Sequence, residues 1–121
     1  MRLLIALLLT SAGCASKTDN CDFEDSVYTA VYRTLNGDCP DMPLRVISPG
    51  AFPPECSQEI TYDDKCAVNL VRECKRDGRY GRYVLTLEPR GRDYVGLYQV
   101  TGPTDRSRQC SALYDVTYTA Q

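Results

Sequence analysis

The chain has 121 residues, a length that suits one domain, with a formal net charge of −2 and neither histidine nor tryptophan. The charge balance gives no general reason to expect nucleic acid binding. The missing histidine removes Ser-His and Cys-His nucleophilic sites and the commonest general base near neutral pH. The distinctive content is cysteine, present seven times, and tyrosine, present nine times.

At the N-terminus, Met1 and Arg2 precede an unbroken apolar run, Leu3 to Leu9, and then the small residues Thr10 to Gly13. A basic start, an apolar middle and a small-residue end make the layout of an export signal over 1–13. The run is too short for a permanent span, which needs about 20 apolar residues. "SAGC", ending at Cys14, resembles a bacterial lipobox, with Ser11 where leucine is commonest. That resemblance implies lipid on Cys14 and anchoring in a membrane. The alternative is ordinary cleavage, for instance after Ala15, giving a freely secreted protein. Residues 14–20 then form the anchor cysteine and a short polar tether.

From Cys21 to Gln121 the texture is that of a single β domain. Seven runs rich in Tyr, Val, Thr and Leu read as strands: 26–35, 43–48, 57–63, 66–74, 82–88, 93–101 and 111–120. "NGD" at 36–38, "RDG" at 76–78 and "RGRD" at 90–93 supply turns, and 101–106, with Gly102 and Pro103, marks a further break. "CAVNLVREC" at 66–74 also suits one or two helical turns. The spacing predicts an all-β antiparallel meander, closed as a small barrel or folded as a sandwich. "SPGAFPPE" at 48–55 holds three prolines and must be a surface loop, because proline cannot donate to a central ladder. Its Phe52 is expected either to tuck back and plug the core or to face a partner.

With Cys14 set apart, Cys21, Cys39, Cys56, Cys66, Cys74 and Cys110 make an even set, read as a disulfide framework in an oxidising compartment. No pair has C-x-x-C spacing, so no metal is expected. If Asp63 to Lys65 turn a hairpin, Cys56 and Cys74 fall nearly opposite at its open end. Cys66 and Cys74 on one straight strand would stand about 26 Å apart, far beyond bridging reach. The other pairings stay open. "YTAVYRT" at 28–34 and "YDVTYTA" at 114–120 are built alike, as first and last strands that lie side by side and close the sheet would be.

Tyr28 with Tyr32, Tyr94 with Tyr98, and Tyr114 with Tyr118 are each four apart, with Ala30, Gly96 and Val116 between them. In strands, that spacing puts each pair on one face. The rings make a candidate ligand face, or supply core area with their hydroxyls at a wet rim. Ten acidic residues against Arg33 and Arg45 occupy 19–64, whereas seven basic residues cluster in 72–92. Phe52, Arg79 and Arg82 are therefore a candidate partner patch, beside the alternative of a solvated turn pairing with the acidic half. The carboxylates Asp22, Glu24, Asp25, Asp63 and Asp64 read as a strand approach and a turn. No catalytic residue and no cofactor is assigned.

Taken whole, the chain resembles the many small bacterial lipoproteins of unassigned function. That implies export, and an outer-membrane or cell-surface location, since Ala15 rather than Asp follows the cysteine. The expected function is a non-enzymatic binding or structural module of the envelope, meeting an envelope protein or a small ligand. The alternative is an inhibitor of an extracellular hydrolase, a protease or a lysozyme, because a rigid loop loses little entropy on binding.

Overall fold

A computed structural model describes residues 21–103 and 109–121. The expected signal segment 1–13, Cys14 and the tether to position 20 lie outside the described residues. Each predicted run becomes a strand: β1 (Tyr28–Gly37), β2 (Arg45–Ile47), β3 (Cys56–Tyr62), β4 (Val68–Arg76), β5 (Arg79–Arg90), β6 (Asp93–Pro103) and β7 (Gln109–Ala120). They form one antiparallel sheet in the order β2-β1-β7-β6-β5-β4-β3. The sheet curls into a half-barrel. It does not close further, because β2 and β3 are its two edges and do not pair.

Period-two patterning decides the strands and their inner face. In β7, Cys110, Ala112, Tyr114, Val116 and Tyr118 are all buried, with Ser111 and Thr117 exposed between them. In β4, buried Val68 and Leu70 flank exposed Asn69, so alternation overrides the helical reading of 66–74. Cys66 itself stands in the preceding loop at φ 63. Asp77 and Gly78 turn the β4–β5 hairpin with φ 53 and 78, the double left-handed geometry of a type I′ turn. Pairing therefore runs up to Arg76 opposite Arg79, and β5 begins three residues before the predicted run at 82.

The first residues of two expected breaks are absorbed into strands, β1 ending only at Gly37 and β6 at Pro103, with 104–106 outside the described residues. Asn36 and Gly37 remain paired with Leu113 and Ala112 beyond a bulge that leaves Leu35 out of register. Gly102 and Pro103 pair with Cys110 and Gln109. β1 and β7 do lie side by side and antiparallel, from Tyr28 opposite Ala120 to Gly37 opposite Ala112.

The concave face holds the core. Phe23, in a 3₁₀ turn at Phe23–Asp25, is fully buried against Tyr28, Tyr94 and Tyr118, with ring centroids 5.2, 5.0 and 5.7 Å away. The aromatic plug is thus Phe23. Phe52, proposed above as a plug, is 43% exposed. Its ring lies beside Arg72, whose guanidinium is 5.9 Å from the ring centroid.

Three disulfides fasten the ends. Cys21–Cys66 ties the segment before β1 to the β3–β4 loop. Cys39–Cys110 ties the segment after β1 to the start of β7. Cys56–Cys74 joins two residues directly opposite in the β3–β4 hairpin. The 48–55 loop runs from one edge strand to the other. Its Pro49 carbonyl accepts a bond from Gln58 Nε2 at 2.8 Å, which holds the loop against β3.

Candidate functional site: a tyrosine-walled cleft on the concave face

The structure brings the six tyrosines singled out above onto one concave surface. Tyr94 is directly opposite Tyr118, and Tyr98 opposite Tyr114. Across β1 and β7 each ring meets a smaller residue: Tyr28 faces Ala120, Tyr118 faces Ala30 and Tyr32 faces Val116. This offset lets the rings pack without collision. Their centroids stand between 5.6 Å (Tyr32–Tyr98) and 6.5 Å (Tyr32–Tyr118) apart, mostly tilted or edge-on, as aromatic quadrupoles prefer.

The rings divide between two roles. Tyr28, Tyr94, Tyr114 and Tyr118 are buried, whereas Tyr32 and Tyr98 keep part of their surface exposed. Tyr114 donates to the Pro40 carbonyl at 2.8 Å and so fastens the segment before β2. Tyr83 donates to the Pro103 carbonyl. Core packing thus occupies much of the aromatic face, and the rest opens into a cleft.

That cleft has a volume of about 420 Å³, a size that suits a small ligand. Tyr32, Tyr83, Tyr98 and Tyr118, with Leu70 and Leu85, make its wall. Arg45 and Ile47 of β2, Arg72 of β4, Met42, and Ser48, Pro49 and Ala51 of the loop complete it. Arg72 is aimed by its own contacts. Its Nε donates to Gln58 Oε1 at 2.8 Å and its Nη2 to the Ala51 carbonyl at 3.3 Å. Among the described residues, ion pairs engage Arg33, Arg76 and Arg82, but neither Arg45 nor Arg72.

Burial holds the Tyr98 and Tyr118 phenols well above the ordinary tyrosine range. Burial also raises Tyr32, against a hydrogen bond with Tyr118 and the pull of the Arg45 and Arg72 guanidiniums. These phenols are protonated near neutral pH, as an ordinary tyrosine is, and the Tyr32–Tyr118 hydrogen bond engages one of their protons. The arrangement can hold an apolar body against rings and offer hydrogen bonds and positive charge beside it.

The residues of the expected partner patch stand on two segments, Phe52 on the 48–55 loop and Arg79 and Arg82 on β5. Arg82 alternates to the outer face of β5, with its Nε 3.6 Å from Glu73 Oε2, whereas Tyr83 faces the cleft. Arg79 sits at the β4–β5 turn opposite Arg76, and Phe52 lies by Arg72. Glu55 and Arg76 form an ion pair that links the acidic half to the basic one. Asp63 is a turn residue whose Oδ1 accepts the Lys65 and Ala67 amide N–H at 2.8 and 2.9 Å. Among the described residues no His, Cys, Asp or Glu cluster is arranged to hold a metal ion. A wider depression of about 660 Å³ at the hairpin end is lined by Asp22, Ser26, Arg92 and Gln121, and carries fewer converging rings.

The sequence reading missed Phe23, Tyr83, Arg45 and Arg72 as parts of this face. The signal for Arg72 was its parity with Leu70 on β4, which points it inward. For Phe23 it was a lone ring inside the acidic "DFED". Compared with protein-family models, curated proteins and solved structures, the chain matches none.

Proposed function

We propose that this chain is a lipid-anchored, non-enzymatic binding module of the bacterial cell envelope. Residues 1–13 export it, Cys14 holds it to the outer membrane or cell surface, and the concave cleft takes a small ligand. The observation that carries the reading is the cleft itself, where four tyrosine rings and two guanidiniums converge in a frame pinned by three disulfides. Disulfides of this kind suit an oxidising compartment. A pre-shaped cleft limits the entropy lost on binding.

Two measurements test it. The intact mass of membrane-extracted protein, alkylated without reduction, should give a lipidated chain beginning at Cys14 that takes up no alkyl groups. A lipid-free chain removes the anchor. A small-molecule panel read by thermal shift should yield stabilisers whose effect disappears in Ala51→Trp, which fills the cleft mouth from an exposed loop position. Stabilisers indifferent to Ala51→Trp would place binding elsewhere.

One observation favours the alternative, an inhibitor of an extracellular hydrolase: Phe52, 43% exposed on a proline-rich loop, has the form of a wedge. Inhibition of a protease or lysozyme that is lost in Phe52→Ala would select it.

A further inference from the structure

We propose, resting on the cleft reading above, that the ligand is a small organic anion, its charged head held by Arg45 and Arg72 and its flat apolar body laid against Tyr32 and Tyr98. The charge of the cleft carries the argument. The whole chain is acidic, at −2, yet among the described residues no carboxylate lines this cleft and two guanidiniums do. Arg45 is one of two basic residues in an acidic half, and it sits on the inner face of β2 opposite Ala30.

Arg72 is half-buried, where an uncompensated cation is unfavourable. Its bonds to Gln58 and Ala51 use two of five N–H donors and engage neutral oxygens. They fix the direction of the planar fork while leaving its charge unneutralised. An anion entering the cleft supplies the missing counter-charge and finds donors already aimed. The protonated phenols add neutral donors, and among the described residues nothing negative in the wall opposes the head. The rings supply the flat surface for the remainder of the molecule.

The test uses the intact, disulfide-bonded chain and two probes of nearly equal size, naphthoate and the neutral naphthylmethanol, titrated calorimetrically. Naphthoate should bind at least about tenfold more tightly, as charge-assisted bonds do, and salt should narrow the gap. Arg45→Gln, at an exposed position, should erase most of the preference while the fold stays intact. Arg72→Gln, checked by circular dichroism for folding, should do the same. Naphthyl phosphate, run beside naphthoate, distinguishes a phosphate head from a carboxylate one, and tighter binding of either over the alcohol supports the proposal. Equal binding of acid and alcohol, unmoved by Arg45→Gln, overturns the anion proposal and leaves the cleft as a site for neutral ligands. Failure of all three probes to bind overturns the proposal together with the cleft reading.

Discussion

At the scale of single residues, the fold turns on two positions that a hydropathy plot would pass over. Phe23 lies between acidic neighbours yet is fully buried, touching three tyrosine rings. Replacing it with alanine removes that area and leaves a void at the end of the core. Phe23→Ala should lose about 3–5 kcal/mol in chemical denaturation, and a loss under 1 kcal/mol would show that the plug is dispensable. Gly96 separates Tyr94 from Tyr98, and a Cβ built there overlaps the Thr86 carbonyl oxygen and stands 2.9 Å from Leu87 Cα. Neither atom can yield without moving β5. Gly96→Ala should therefore destabilise by about 1–3 kcal/mol, against the slight gain expected of such a change in an unobstructed strand. Gly91→Ala, where a Cβ would meet nothing but φ is 66, reads instead the cost of left-handed strain without a clash.

Among elements, the disulfides differ in reach. Cys56–Cys74 spans 18 residues within one hairpin, and Cys39–Cys110 spans 71 across the chain. In the chain-entropy account, closing the shorter loop stabilises by about 3 kcal/mol and the longer by about 4 kcal/mol. The double variant Cys39→Ser with Cys110→Ser should thus melt below Cys56→Ser with Cys74→Ser. The reverse order of melting would mean that the hairpin clamp, and the loop it holds beside Arg72, matters more than chain entropy. The hairpins explain why strands were legible from sequence. Asp77-Gly78 and Gly91 provide turns through contacts between near neighbours. The breaks placed at 36–38 and 101–106 rest on turn-forming residues alone. Neighbouring β7 keeps Asn36, Gly37, Gly102 and Pro103 in the ladder, which no local signal reveals.

For the molecule as a whole, the clustered phenols set a limit at high pH. Burial raises Tyr98 and Tyr118 far above the ordinary value of about 10, so the unfolded chain gives up these protons first. Stability from this source is fully present below about pH 10 and falls as pH rises beyond it, by about 1.4 kcal/mol per pH unit for each phenol that stays protonated. Unfolding followed by circular dichroism should coincide with a cooperative rise in phenolate absorbance. Gradual phenolate formation near the ordinary value, with the fold still intact, would contradict the burial described here.

Much was determined by the sequence alone, because it depends on alternation and short-range turns. Seven strands, their antiparallel succession, the shared face of each tyrosine pair and the opposition of Cys56 to Cys74 all follow from period two and hairpin geometry. Tertiary structure decided the rest. The pairings Cys21–Cys66 and Cys39–Cys110, the stop at a half-barrel, the use of Phe23 as plug and the placing of Arg45 and Arg72 on one cleft join segments far apart in the chain. Which distant residues meet depends on strand order and on how far the sheet curls. Those properties come from the summed packing of the concave face, and no single stretch of sequence carries them.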